Sequence, residues 1–294
     1  MSAGGLIVVH QMAKVGSMAW VEAARATGTA AVHSHFLTAP NLAAIEAILA
    51  APPETNTIAH PLVAREVVRK GARGLAAIEA ARRENQAIGV VTGMRDPVAR
   101  SLSLLNFFAD FCGHTGGGLS ARDGAGAEAV GAALGGLWEA VLTGREPTGS
   151  FERLVWRMIG TYRTWFDEEL AGVFGIDVFS APFPAGGGAQ RMGAGGVEVL
   201  AYRAEDMTAG SPAGPALVDA ARAFLGAPDF ALPQVNTAET RRSYPLYREA
   251  RDRFRLPAAA LDQIYAAPAV RHFYTAEEIA GFKKRWGGDG RSCS

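Results

Sequence analysis

Three groups of residues in this sequence have the types and spacing for chemistry. Lys14, Gly16 and Ser17 directly follow an apolar run, and an ammonium, exposed backbone N–H groups and a hydroxyl before a helix-like stretch make an anion cradle. Arg95 and Ser103 stand eight residues apart around Asp96-Pro97. A guanidinium fork and a hydroxyl so placed can hold a terminal phosphate. His33 and His35 alternate along an extended run, so their imidazoles share one face, and His35, nearer the C-terminal end, suits a general base near neutral pH. Each group also has a plain structural reading: a strand-helix turn for the loop, an ion pair for Arg95, and hydrogen-bonded core residues for the histidines.

The elements that must position them follow from apolar pattern and punctuation. Leu6-Ile7-Val8-Val9 reads as a strand buried on both faces, and the loop Gln11 to Ser17 leads from it into a helix stopped by Gly28. Thr29 to Leu37 is a second strand. Ala39 to Glu84 is helical, with breaks at Pro52-Pro53 and His60-Pro61. Ile88 to Met94 is a buried strand, after which Asp96 caps a helix beginning at Pro97, with Val98, Leu102, Leu105 and Ala109 on one stripe. Gly113 to Ser150 reads as a Gly- and Ala-rich surface insertion with a helix at Ala127 to Leu142. Phe151 to Val173 reads as a helix whose Asp167, Glu168 and Glu169 face solvent. Strands are expected at Ile176 to Ala181 and Val197 to Tyr202, joined by the Gly-rich loop Pro184 to Gly196 containing Arg191. Glu205 is expected to cap or pair inside the fold, and Thr275 with Glu278 to form a capping box on the last helix. The class is α/β, with a central parallel sheet, helices on both faces, and a site at the strand ends His10 and Met94.

Composition narrows the function. Lys plus Arg and Asp plus Glu number 29 each, so no net field favours nucleic acid or an anionic membrane, and anion binding must come from local clusters. Two cysteines, Cys112 and Cys293, lack metal-ligand spacing, and no metal is expected. No leader pattern opens the chain and no apolar run is long enough to span a bilayer, so the expected compartment is the cytoplasm, with two reduced thiols.

The Lys14 loop lacks the order G-x-x-x-x-G-K-[ST], because Lys14 precedes Gly16 and Gln11 stands where the first Gly would be; G-x-G-x-x-G is absent too. The order K-x-G-[ST] resembles the 5′-phosphosulfate loop of sulfotransferases that use 3′-phosphoadenylyl sulfate (PAPS). Likewise R-D-P-V-A-R-S-L-S, Arg95 to Ser103, resembles their 3′-phosphate motif. The pieces WFDEEL (Trp165 to Leu170), GIDVFSAPF (Gly175 to Phe183) and HFYTAEEIAGFKKRW (His272 to Trp286) resemble a bacterial capsular polysaccharide synthesis family, itself sulfotransferase-like. The resemblance implies a P-loop-like three-layer sandwich over a single domain, 1–294, with an insertion at about 113–150 and a helical part at about 236–294.

It also implies roles. Lys14 would meet the phosphosulfate bridge, Val15, Gly16 and Ser17 would wrap the 5′-phosphate, and Arg95 and Ser103 would hold the 3′-phosphate. Arg241 and Arg242 are candidates for closing over the nucleotide, in a stretch where aromatic and basic residues interleave. The partners would be the nucleotide co-substrate PAPS and a hydroxyl acceptor, a carbohydrate or polysaccharide. His35 is the first candidate base, by resemblance of His33-Ser34-His35 to an H-x-H segment in a uronyl-type polysaccharide sulfotransferase, with Asp167, Glu168 and Glu169 as rivals. Two departures stand out: Ala13 replaces the usual proline, which should loosen the loop, and Met18 replaces a hydroxyl residue. They keep a non-catalytic scaffold in polysaccharide assembly as an alternative. A nucleotide-dependent phosphotransferase is disfavoured, since no acidic magnesium site is evident. Trp20 stands one residue too late to match the Trp that follows this loop in cytosolic sulfotransferases, and it reads as core.

Overall fold

The aliphatic runs at Leu6 and Ile88 form adjacent strands of one sheet. The computed structural model describes residues 5–52, 62–113, 126–231 and 243–288, without the side chains of 109–113. Strands β1 (Leu6–His10) and β3 (Ile88–Met94) run parallel, Leu6 opposite Ile88 and Val9 opposite Val91. On the other side of β1 lies β2 (Ala30–Ser34), also parallel; β5 (Val197–Arg203) is parallel to β3, and β4 (Ala189–Ala194) closes that edge antiparallel to β5. The order β2-β1-β3-β5-β4 reverses direction between β1 and β3. The crevice beyond their C-terminal ends is therefore the switch point at which open α/β sheets take ligands.

The helices before β3 are α1 (Ser17–Ala26), α2 (Ala39–Leu49) and α3 (Leu62–Arg83). Between β3 and β4 come α4 (Pro97–Gly113), α5 (Ala127–Thr143), α6 (Ser150–Gly160) and α7 (Gly172–Phe174), the last continuing a π-helix, Phe166–Ala171. After β5 follow α8 (Gly214–Leu225), α9 (Tyr244–Arg253), α10 (Ala258–Tyr265), α11 (Pro268–Phe273) and α12 (Ala276–Trp286). Residues group into two compact units. The first, Met1–Glu46, Ala64–Arg95 and Thr164–Asn236, holds the sheet; the second, Ala47–Val63, Asp96–Arg163 and Thr237–Ser294, is helical among its described residues.

In the first unit both sheet faces are covered. Ile7, Val9, Val91, Leu200 and Tyr202 pack with Trp20, Val21 and Ala24 of α1 and with Leu217, Ala221 and Phe224 of α8. Each large apolar side chain buried there contributes about 1.5–3 kcal/mol, so the strand ends rest on a rigid backing. Trp20 is core, as expected, its ring centroid 5.1 Å from that of Tyr202. Period-2 alternation turns His10 to the opposite face, where its ring lies 4.7 Å from Trp165 and 6.0 Å from Phe174.

In the second unit Asp96 caps α4 through Val98 N–H (3.1 Å), and its buried carboxylate also accepts from Tyr265 Oη and Trp286 Nε1, both at 2.7 Å. Val98, Leu102 and Leu105 form the buried stripe. Arg100 is buried and donates to the Met158 and Ile159 carbonyls at the end of α6 (3.0 and 2.7 Å), where helix-end charge favours a cation. The capping box of α12 forms as expected, Glu278 N–H to Thr275 Oγ1 at 3.2 Å and Thr275 N–H to Glu278 at 2.8 Å.

Several expectations are corrected. Helix α5 is no surface insertion: Leu134 and Trp138 are fully buried, and Trp138 Nε1 donates to Ser101 Oγ (3.1 Å). Ile176 to Ala181 is not a strand. Asp177 takes the Phe179 N–H (2.8 Å) and its carbonyl takes the Ser180 hydroxyl (2.7 Å), local bonds that win the backbone from the sheet. The strand lies instead inside the Gly-rich loop, because Gly195 and Gly196 (φ 57° and 81°) make the tight hairpin turn joining β4 to β5. Strand β2 stops at Ser34, leaving His35 in the connection to α2. Arg191, on β4, pairs with Glu198.

Candidate functional site

The loop between β1 and α1 has two left-handed residues, Lys14 (φ 72°) and Gly16 (φ 97°). For lysine that backbone costs about 1 kcal/mol or more, so its neighbours must hold it there. Two donors do so. Arg95 Nη1 donates to the Lys14 carbonyl (3.1 Å), and Tyr202 Oη donates to the Val15 carbonyl (2.6 Å) while lying 3.1 Å from Gln11 Oε1. These bonds hold the loop to Arg95, just past β3, and to Tyr202 of β5. Gly93 makes the second brace feasible: a Cβ there would meet Tyr202 ring carbons at 2.7–3.1 Å, so only glycine lets the ring cross β3. Gly16 is the N-cap of α1, which has no side-chain cap and no acidic residue in its first turn. The positive end of that helix thus remains uncompensated by a carboxylate on its own first turn.

His35 Nδ1 lies 2.8 Å from the Gln11 carbonyl. A carbonyl only accepts, so Nδ1 carries the proton and Nε2 keeps its lone pair. Burial pushes the imidazolium down, the Gln11 carbonyl acts against this, and Lys70, His10 and Lys14 add to it, leaving His35 at about 4. It is neutral at pH 7. His33 falls to about 2, through burial first and then His35, Lys70 and His10; Lys70 Nζ sits 3.4 Å from its Nδ1. The two imidazoles meet edge to face at 4.6 Å, sharing a side as their alternation requires.

Asp167 and Glu168 are exposed, as expected of a solvated acidic face. Glu169 is not: it is fully buried beneath the connection that carries His35. Its Oε2 accepts from Leu37 N–H (2.7 Å) and Thr38 N–H (3.1 Å), and its Oε1 from Thr38 Oγ1 (2.6 Å) and Asn41 Nδ2 (2.7 Å). His10 Nε2 is 3.3 Å from Oε2. Burial pushes this carboxyl up, but the His10 ring, Thr38 and the Leu37 N–H outweigh it and hold it at about 2. It is a carboxylate with its lone pairs engaged, and a poor proton acceptor. Trp165, Phe166 and Leu170 were the signal that could have found it, since they place Glu169 within an apolar stripe.

The structure gathers Lys14, Val15, Gly16, Ser17, Arg95 and His35 beyond the C-terminal ends of β1, β2 and β3 in the first unit. Ser103 lies half-buried on α4 in the second unit, and Arg241 and Arg242 fall outside the described residues. Tyr202, Gln11 and Trp165 are candidate-site residues that sequence reasoning missed, and Glu169, a rival base in that reading, is instead a buried acceptor. Farther along, Asp206 makes an internal pair: Arg203 Nε and Nη2 each lie 2.8 Å from its carboxylate, which also accepts Gly188 N–H (3.0 Å). A cleft of about 340 Å³ in the second unit, lined in part by Asp262, Arg271 and Lys283, contains none of the expected residues. Among the described residues no helix is long and apolar enough to cross a membrane, and no group of three or more His, Cys, Asp or Glu is arranged to hold a metal ion.

Residues 152–275 match a family described as "Putative capsular polysaccharide synthesis protein". No curated protein and no solved structure matches the chain. The matched stretch supplies Trp165, Glu169 and Tyr202, whereas Lys14, His35 and Arg95 precede it.

Proposed function

We propose that the protein transfers a sulfuryl group from PAPS to a hydroxyl of a carbohydrate. The observation that carries this reading is the meeting of Lys14 and Arg95 at the β1/β3 switch point, where Arg95 Nη1 bonds the Lys14 carbonyl (3.1 Å). Two cations drawn from separate parts of the chain flank an uncapped helix N-terminus, a setting for a doubly phosphorylated nucleotide. The neutral His35, with Nε2 unprotonated, supports proton abstraction at the same strand ends. The match over residues 152–275 supports a saccharide acceptor.

In this reaction the acceptor oxygen attacks sulfur in line and forms the new O–S bond. The bond from sulfur to the bridging oxygen breaks, and its electron pair leaves with adenosine 3′,5′-bisphosphate. Lys14 meets the charge growing on the bridging oxygen, and His35 Nε2 takes the hydroxyl proton. With a value of about 4, His35 is unprotonated at all neutral pH; it is always available as a base, though a weak one.

Thermal unfolding with adenosine 3′,5′-bisphosphate, ATP and AMP at equal concentration tests the reading. At about 100 times its dissociation constant a ligand adds roughly 2.7 kcal/mol of stability. The bisphosphate alone should raise the midpoint, and Lys14→Gln should weaken that response. Equal or absent responses to all three nucleotides would overturn it. Radiolabelled transfer from PAPS to a panel of polysaccharides, lost in His35→Asn, then tests the chemistry.

A further inference from the structure

We infer that the π-helix is a clamp that sets the orientation of His35, with Glu169 and Trp165 as positioning residues. The inference rests on the role of His35 in the proposed transfer, but its geometry stands alone. A π-helix inside a helical run is rare and recurs at functional sites. Here the π-helix and the residue just before it bring two side chains, Glu169 and Trp165, to one short segment. Trp165 Nε1 donates to the His35 carbonyl (3.2 Å), and Glu169 takes the Leu37 N–H, the Thr38 N–H and the Thr38 hydroxyl at 2.7, 3.1 and 2.6 Å. The backbone is thus held at His35 itself and at the second and third residues after it. The imidazole is held from a third direction by the Gln11 carbonyl, at 2.8 Å.

These bonds replace a sheet. Strand β2 ends at Ser34, and the next backbone N–H groups would need strand partners or water; Glu169 supplies the acceptors for Leu37 and Thr38 from inside the core. Trp165 also lies tilted against His10, with ring centroids 4.7 Å apart, and His10 contacts Glu169 at 3.3 Å, so the clamp is tied to the end of β1 where the Lys14 loop begins. A buried, ionised carboxylate with donors on both oxygens tolerates little displacement, because any bond it loses leaves a buried group unpaired. The consequence for chemistry is a single direction for His35 Nε2. The groups facing His35 are Lys70 from α3, His10 from β1, Lys14 from the loop and His33 from β2.

The test uses the full chain with ¹⁵N-labelled histidine, His35 being assigned by comparison with His35→Asn. In the parent, His35 should show the Nδ1–H tautomer and resist protonation well below the ordinary imidazole range. Glu169→Gln puts an amide donor among donors. If the clamp sets His35, the folded variant should show mixed tautomers, a titration moved toward about 6.5, and about 100-fold slower transfer, with the bisphosphate-induced unfolding shift retained. An unchanged His35 spectrum in folded Glu169→Gln overturns the clamp. If Glu169→Gln does not fold, Trp165→Phe, which removes the bond to the His35 carbonyl and trims the ring that lies against His10, decides by the same spectrum: altered tautomers support the clamp and unaltered ones overturn it. A parent that ignores the bisphosphate sinks the sulfuryl-transfer reading and leaves the histidine spectra to decide the clamp.

Discussion

Tyr202→Phe removes one hydroxyl and tests whether the Lys14 loop is held by the sheet. In the parent that hydroxyl lies 2.6 Å from the Val15 carbonyl and 3.1 Å from Gln11 Oε1, and Tyr202, Gln11 and Val15 are all 0% exposed. Burial pushes the phenol well above its ordinary range, so it is a donor at every accessible pH. Its loss strands a carbonyl and an amide oxygen where water does not reach, at about 1–3 kcal/mol for an unsatisfied buried group, with part regained because the hydroxyl's own burial is no longer needed. The expected loss is about 2 kcal/mol, or roughly 4–6 °C in the unfolding midpoint for a chain of this size. The loop then keeps the Arg95 bond to the carbonyl of Lys14, which sits at φ 72°. Relaxation of that residue should weaken adenosine 3′,5′-bisphosphate binding by about tenfold, equivalent to about 1.4 kcal/mol. Urea unfolding and isothermal titration read the two effects separately. A stability change under about 0.5 kcal/mol, together with parental nucleotide affinity, would refute the brace.

Gly93→Ala should mimic Tyr202→Phe, since the new Cβ pushes the ring off its path at 2.7 Å; a crystal structure with the ring and loop unmoved would contradict this. Asp96→Ala should cost roughly 3–5 kcal/mol by uncapping α4 and orphaning Tyr265 and Trp286, and a loss below about 1 kcal/mol by denaturant titration would show the carboxylate to be dispensable. Stability should also fall with acid. His33 and His35 are depressed from 6.5 to about 2 and about 4, so below about pH 6.5 the unfolded chain binds protons that the folded chain refuses. Glu169, lowered from 4.5 to about 2, adds its own loss as pH falls from about 4.5 toward 2. His33→Asn should flatten the profile between about pH 6.5 and 4, and an unaltered slope would count against its buried neutral state.

Local chemistry made much of this protein readable in one dimension. The β-branched runs at Leu6 and Ile88 need burial on both sides wherever they sit, so they read as strands. Asp96-Pro97 and Thr275 with Glu278 start helices through bonds within a few residues. The loop at Lys14 and the residue Arg95 were visible as cations at strand ends, and alternation put His33 beside His35. What stayed hidden depends on partners far away in the chain. Glu169 in an acidic run looks solvated, and its burial is made tolerable by donors far earlier in the chain, the N–H groups of Leu37 and Thr38, the Thr38 hydroxyl and the Asn41 amide. The edge strand β4 hides in a Gly-rich stretch because its pairing is decided by a two-glycine turn and by β5. Sequence alone determined the strands β1, β3 and β5, the caps at Asp96 and Thr275 and the types of groups at the candidate site, because those follow from nearest-neighbour geometry. The tertiary structure alone decided the bond from Arg95 to the Lys14 carbonyl, and the burial that leaves His35 neutral and Glu169 ionised, because charge states inside a protein are set by desolvation and by hydrogen-bond partners that only folding brings together.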